Sequence, residues 1–134
     1  MNHTLVIWAA IVFIENRIHT KIQYSALAED VGFSLSHLRT VFMSHTGKSL
    51  AQYITERKIS RAAFDAIHSN DNFSTIAERY GFTNPDTFTR AFRRVTCLNP
   101  KDFRKIKPPL KRVILCAGVF GFTVQKYITK DDYK

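Results

Sequence analysis

Two similar stretches of the chain each carry an arginine and several hydroxyl side chains on a segment whose pattern predicts a short helix. The first stretch has Ser36, Arg39 and Thr40, and the second has Thr87 and Arg90. The planar guanidinium of arginine can bind guanine O6 and N7 together, which is worth about 1–3 kcal/mol of discrimination between bases. Hydroxyl groups can bind a base edge or a phosphate. These residue types therefore indicate contacts with a nucleic acid.

The two stretches belong to an internal repeat that covers residues 24–53 and 73–103. Five identical pairs lie 49 residues apart: Ser25/Ser74, Ala28/Ala77, Glu29/Glu78, Gly32/Gly81 and Phe33/Phe82. Two further pairs lie 50 residues apart: Phe42/Phe92 and Thr46/Thr96. The second copy therefore contains one additional residue between its Phe82 and Phe88. Each copy has the pattern of a helix, a glycine-centred turn and a second helix, which predicts a helix-turn-helix.

Hydroxyl residues stand before the predicted helices and are candidates for their N-caps. We expect Ser25 and Ser74 to cap the first helix of each copy, and Ser34 and Thr83 to cap the second. In the second helices the apolar residues recur at helical spacing, so the residues between them face outwards. Basic residues at the same turn of both copies favour contact with DNA over a merely solvated charged face.

Between the copies, residues 49–69 contain neither proline nor glycine and have an apolar stripe at helical spacing. A helix of that length is about 31 Å long, close to the roughly 34 Å between successive major grooves on one face of DNA. We therefore predict an all-α protein with two helix-turn-helix subdomains, residues 1–48 and 70–107, joined by a linking helix over residues 49–69. Residues 108–134 form a C-terminal extension that we expect to be short and irregular or strand-like.

The apolar run of residues 5–14 is too short to span a membrane, which takes about 20 residues. It has no basic segment before it and no small-residue cleavage site after it, so we expect a buried helix and no membrane partner.

Composition narrows the class of protein further. The chain has 134 residues, 45% of them apolar, and a net charge of +9, which excludes wholesale disorder and favours an anionic partner. No P-loop, dinucleotide or zinc-protease motif occurs, and neither the two cysteines nor the five histidines have ligand spacing. We therefore expect no catalytic site, no metal and no cofactor.

The exposed polar residues of the second helices and their surroundings divide into two sets of expected DNA contacts. Base readers are Ser36, Arg39, Thr40, Asp86, Thr87 and Arg90. Backbone contacts are Ser34, His37, Thr83, Asn84, Thr89, Arg93, Arg94, Lys101 and Arg104. Two roles are open for Asp86: its carboxylate can accept a hydrogen bond from cytosine N4, or it can orient Arg90 one turn away.

Residues 77–105 (AERYGFTNPDTFTRAFRRVTCLNPKDFRK) and 27–62 (LAEDVGFSLSHLRTVFMSHTGKSLAQYITERKISRA) resemble the AraC/XylS family of bacterial transcription regulators, and its small MarA/SoxS/Rob-like subgroup in length and plan. The resemblance implies about seven helices and a cytoplasmic, nucleoid-associated monomer. Such a monomer binds an asymmetric site on double-stranded promoter DNA and activates transcription through RNA polymerase. The family's base-reading positions correspond here to Ser36, Arg39, Thr40, Pro85, Asp86, Thr87 and Arg90.

The chain departs from the subgroup at Ser36, where close relatives carry tryptophan, and at Pro85-Asp86, where they carry a polar amide pair. The recognition sequence of the subgroup is therefore not carried over. A repressor, or a nonspecific or architectural DNA-binding protein, remains the alternative to an activator, and a basic module for membranes or RNA is a third reading.

Overall fold

The computed structural model describes residues 3–108. In that part of the chain seven helices follow one another without a strand: α1 (His3–Asn16), α2 (Tyr24–Val31), α3 (Leu35–Thr46), α4 (Leu50–His68), α5 (Phe73–Arg79), α6 (Pro85–Thr96) and α7 (Pro100–Ile106). The predicted all-α class is confirmed. The predicted extension, apart from Pro108, lies outside the described residues.

Helix α1 contains the apolar run and is buried as expected. It packs against α2 and α3, and its Ala10, Ile11 and Ile14 are inaccessible to solvent. Leu5 and Val12 lie on the opposite side, 66% and 45% exposed. Within residues 3–108, no helix combines the length and the apolar composition that a membrane span requires.

The helices form two groups on either side of the long helix α4. Helices α1, α2 and α3 contact one another at one end, and α5, α6 and α7 pack along α4 at the other. Helix α4 has 19 residues, which corresponds to about 28 Å. It begins after Ser49, whose side chain accepts a hydrogen bond from the Gln52 amide, and ends before Ser69. These bounds lie within the predicted segment 49–69.

The two copies of the internal repeat end their helices in the same way. Gly32 and Gly81 follow α2 and α5 with φ of 83° and 80°, a conformation that glycine adopts without strain. At the ends of α3 and α6, Thr46 Oγ1 donates to the carbonyl of Phe42 at 2.6 Å, and Thr96 Oγ1 donates to that of Phe92 at 2.8 Å. The two copies thus share their turn and their closing bonds.

Three of the four expected hydroxyl caps are wrong. Helix α2 begins at Tyr24, after Gln23, and α5 begins at Phe73, after Asn72, so that Ser25 and Ser74 lie inside the first turns. The aromatic side chains of Tyr24 and Phe73 pack against the core, and both helices begin two residues earlier than caps at the serines would give.

At the second helices, Ser34 caps α3 as expected, but Asn84 rather than Thr83 caps α6. Ser34 and Asn84 lie 50 residues apart, as the phenylalanines and threonines further along do. The additional residue of the second copy is therefore Thr83, in the turn before the cap.

Two charged residues of α4 bind a single glutamate of α1. Arg57 donates to both carboxylate oxygens of Glu15, at 2.5 and 3.2 Å, and Arg61 lies 3.7 Å from the same carboxylate. Arg61 and Asp65 have the i, i+4 spacing of an ion pair within one helix. Asp65 instead accepts hydrogen bonds from Arg79 and from the Tyr80 hydroxyl.

Candidate nucleic-acid interface

Helix α3 presents its predicted base readers to solvent. Leu38, Val41 and Phe42 are buried against the core and fix the rotation of the helix about its axis. Ser36, Arg39 and Thr40 consequently lie on the exposed side, as does His37. The side chains on this face carry one guanidinium and two hydroxyl groups, which suits both bases and phosphates.

Helix α6 repeats this arrangement with more positive charge. Its buried face consists of Phe88, Ala91, Phe92 and Val95. The exposed side chains include all three base readers expected here and the two arginines expected to bind phosphates: Asp86, Thr87, Arg90, Arg93 and Arg94. Thr89 is half-buried, and Thr83 and Asn84 are exposed in the turn before the helix.

The helix caps show that the two arginines do not occupy the same position. Arg39 is the fifth residue after its cap Ser34, whereas Arg90 is the sixth residue after its cap Asn84. The residue of α3 equivalent to Arg90 is therefore Thr40. The arginines lie on the same turn, as the sequence indicates, but they are rotated by one residue, or about 100°, around their helices.

Contacts within each helix hold several of these side chains in place. Thr40 Oγ1 donates to the carbonyl of Ser36 at 3.1 Å, and Arg90 Nε donates to the carbonyl of Asp86 at 3.4 Å. Arg90 is thus oriented through the main chain of Asp86, and the exposed carboxylate of Asp86 is available to a base. The Arg39 guanidinium lies 5.4 Å from the centre of the Tyr24 ring, close enough for a cation–π contact.

Two of the expected backbone contacts also cap their helices. The Ser34 hydroxyl oxygen accepts from the His37 amide at 3.2 Å, and the Asn84 side-chain oxygen accepts from the Asp86 amide at 2.8 Å. Each cap retains a donor, the hydroxyl hydrogen of Ser34 and the NH₂ group of Asn84, that can reach a phosphate. Capping and phosphate binding are therefore compatible at both residues.

Arg104 has a structural role that its position in the sequence did not reveal. Its guanidinium donates to the carbonyls of Ala66 and Asp71 at 2.9 and 2.6 Å, and it lies 4.2 Å above the ring of Phe73. These contacts tie α7 to the end of α4 and the start of α5. Lys101, in the first turn of the same helix, is exposed. Of the two predicted contacts on α7, Lys101 is exposed to solvent, whereas the Arg104 guanidinium already donates within the protein.

A groove of about 250 Å³ between α4 and α6 adjoins the exposed face of α6. Arg90 and Arg94 line it together with Thr55 of α4. Thr55 was not among the predicted contacts, because it lies on the linking helix rather than in either repeat. The residues that line the groove thus include one from the linking helix as well as those of α6.

The part of the chain from His3 to Pro108 contains no group of three or more histidine, cysteine, aspartate or glutamate side chains arranged to hold a metal ion. Cys97 is exposed and follows α6 with φ of 67°, in the position that Gly47 occupies after α3.

Comparisons with known proteins agree with this architecture. A family model described as a helix-turn-helix domain matches residues 27–106. The chain is 33% identical over 102 residues to the multiple antibiotic resistance protein MarA of Escherichia coli K12, a match that covers 76% of each chain. At this identity and coverage the relationship extends over both repeats.

Two solved structures have the same fold. An AraC-type transcriptional regulator from Chromobacterium violaceum superposes with a TM-score of 0.72 at 20% identity, covering 76% of this chain and 91% of the other. The DNA-binding domain of AdpA, a global transcriptional factor solved in complex with a target DNA, superposes with a TM-score of 0.69 at 21% identity, covering 75% and 90%. The chain belongs to the AraC/XylS family of helix-turn-helix, DNA-binding transcription regulators, and within it to the MarA-like kind.

Proposed function

We propose that the protein binds promoter DNA as a monomer, places α3 and α6 in successive major grooves, and activates transcription through contact with RNA polymerase. The observation that carries this proposal is the pair of equally long helices, each rotated by its buried face so that its polar side chains are exposed. Side chains that protrude from such a helix are in the right position to reach base edges.

The residues divide by role as their chemistry suggests. Ser36, Arg39 and Thr40 read one block of sequence, and Asp86, Thr87 and Arg90 read the other. Arg93, Arg94 and Lys101 bind phosphates, together with the remaining polar residues at the helix starts: Ser34, His37, Thr83, Asn84 and Thr89. The net charge of +9 supports fast, salt-dependent association with DNA.

The length of α4 supports simultaneous engagement of both units. Its 19 residues span about 28 Å, which approaches the 34–36 Å repeat of the major groove. A protein that carries two readers in one chain needs no symmetry partner, so its site has no palindrome. Such a regulator acts in the bacterial cytoplasm, at the nucleoid.

Selection of bound duplexes from a random library, at about 150 mM salt, tests the DNA-binding part of the proposal. We expect an asymmetric motif with two short blocks about one helical turn apart. A single block would contradict the two-unit mode, and the absence of enrichment would make the protein an architectural binder. Ultracentrifugation of the complex on the selected duplex should give one chain per site.

Transcription in vitro with bacterial RNA polymerase separates an activator from a repressor. The template carries the selected site upstream of a weak promoter, and a matched template carries the same site scrambled. More transcript from the first template alone supports activation. Equal or lower transcript from it would favour the alternative, a regulator that only occludes its promoter.

A further inference from the structure

The two helix-turn-helix units contact each other directly, in addition to being joined by α4. The contact lies between residues 17–23, which connect α1 to α2, and the turn that connects α5 to α6. Lys58, near the middle of α4, lies between these two segments and is only 7% exposed. Because it reaches both units, it is in a position to fix one relative to the other.

The ammonium group of Lys58 is bound by three main-chain carbonyls. Nζ donates to the carbonyls of Ile18 and Thr20, at 3.0 and 2.5 Å, and to that of Tyr80 at 2.7 Å. Two of these acceptors belong to the first unit and one to the second. An ammonium has three N–H donors, so each of them has one acceptor and the three directions are fixed together.

The two segments also touch beside Lys58. The His19 ring stacks on the Tyr80 ring at 5.1 Å between centres, and His19 Nδ1 lies 3.1 Å from the carbonyl of Arg79. The Tyr80 hydroxyl in turn donates to Asp65 of α4 at 2.6 Å. Burial, followed by this bond to the Asp65 carboxylate, raises the pKa of Tyr80 and keeps it a donor.

The main chains of the two units come close together at Gly81. A Cβ atom there would lie 3.1 Å from the carbonyl carbon of Thr20 and 3.2 Å from its oxygen. The equivalent Gly32 of the first unit has no such neighbour within 4 Å. The close contact is therefore a feature of the junction and not of the glycine turn that the repeat produces in both copies.

A helix that merely joined the units would let each unit tilt about its own end of the helix. The contacts around Lys58 remove that freedom, because a tilt of either unit would lengthen hydrogen bonds to a buried ammonium. A buried ammonium that loses an acceptor is costly, since no water replaces the lost bond.

We propose that Lys58 is a positioning residue that holds the two helix-turn-helix units in one relative orientation and thereby sets the spacing between the two blocks of DNA sequence that they read. This inference rests on the proposed function. Lys58 touches no base or phosphate in it, and acts only through the placement of α3 and α6.

The test compares affinities for duplexes whose two blocks are moved apart or together. Inserting or deleting one base pair shifts one block by about 3.4 Å and rotates it by about 35°. The wild-type protein should lose affinity about tenfold or more, because the base contacts of one block are lost. The spacing penalty is the Kd for a duplex with altered spacing divided by the Kd for the duplex with the selected spacing. Duplexes with only one intact block measure each unit by itself.

Lys58→Met removes the ammonium donors and keeps an apolar side chain of the same length as far as Cε. Lys21→Met removes an exposed lysine from the same junction and is the matched control. We expect Lys58→Met to bind single-block duplexes within about twofold of wild type but to reduce the spacing penalty to about threefold or less. Lys21→Met should keep the wild-type penalty. An unchanged penalty in a folded Lys58→Met would overturn the inference.

His19→Ala provides a second route if Lys58→Met does not fold, because His19 is exposed and its removal leaves α4 intact. A smaller spacing penalty in His19→Ala supports the locked junction, and the wild-type penalty would refute it. Failure of the proposed function has a different signature, since the wild-type protein itself would then show no preferred sequence.

Discussion

Thr40 and Arg90 occupy equivalent positions in the two repeats. Each is the sixth residue after the N-cap of its helix, and each donates from its side chain to the main-chain carbonyl four residues earlier. The same local geometry thus holds a short neutral side chain in one unit and a long cationic one in the other. The side chains proposed to read bases therefore differ between the two units in reach as well as in charge.

Arg90→Ala should relax sequence preference at one or two base pairs of one block and weaken binding by about 1–3 kcal/mol. The reason is that a guanidinium can bind a guanine edge through two hydrogen bonds at once. Repeating the selection with the variant measures the effect. The block read by α3 is the internal control and should not change. An unaltered motif would show that Arg90 does not read bases.

Lys101→Ala should weaken binding to all duplexes alike. Lys101 is exposed at the start of α7, and a phosphate contact carries no sequence information. The slope of log K against log salt should fall by about 1. Titrations at several salt concentrations, on a specific and a scrambled duplex, supply the measurement. A loss confined to the specific duplex would contradict the role of Lys101 as a phosphate contact.

Cys97→Gly should stabilise the protein. Cys97 has φ of 67° after α6, a conformation that costs a residue with a Cβ atom about 1–2 kcal/mol. The greater freedom of glycine in the unfolded chain offsets about 0.4–1 kcal/mol of this gain. Urea unfolding should therefore show a modest increase in stability. The reciprocal Gly47→Cys should lower it, and the same sign in both variants would refute the argument.

Gly81→Ala should destabilise the protein more than Gly32→Ala. Both glycines have φ near 80° and share the left-handed penalty of about 1–2 kcal/mol. Only at Gly81 would the added Cβ also press on the main chain of Thr20, and overpacking of this kind costs about 1–3 kcal/mol more. Urea unfolding of both variants gives the difference. Equal losses of unfolding free energy in the two variants would mean that the main chain at Thr20 moves away from the added Cβ atom without an energetic cost.

Stability should rise with pH relative to a Lys58→Met variant. Burial lowers the pKa of the Lys58 ammonium from 10.5 to about 8. Between these values the unfolded chain binds more protons than the folded one, so increasing pH favours the folded state. The difference in unfolding free energy between wild type and variant should grow in favour of wild type by up to about 1.4 kcal/mol per pH unit above about pH 8.

Urea unfolding of both proteins between about pH 7 and pH 9.5 follows this difference. The variant shares every other titrating group, so their contributions cancel. A difference that stays flat over the range would indicate that the three carbonyls compensate the ammonium fully for its burial.

Much of the fold could be predicted from local patterns in the sequence. The repeat places Gly32 and Gly81 at equivalent turns, and the stretch without proline or glycine predicts α4 to within a residue at each end. The exposure of the readers follows from the spacing of buried residues such as Phe42 and Phe92. These features depend on neighbours close in the chain, and local patterns suffice to predict them.

The errors come from competition between local and distant partners. Ser25 looks like a cap, but the packing of Tyr24 starts the helix earlier. Arg61 and Asp65 have the spacing of a pair, yet Glu15 and Arg79 are better placed in three dimensions. The role of Lys58 could not be predicted from the sequence, because its partners are main-chain carbonyls, which every residue has.

The rotation of Arg39 relative to Arg90 gives the molecule a direction. If both units recognised the same bases, exchanging the two blocks of a binding site would leave its sequence unchanged. With readers that differ in position and charge, the two arrangements are different ligands. In the proposed binding mode, the order of the two blocks therefore sets the orientation of the bound chain on the promoter.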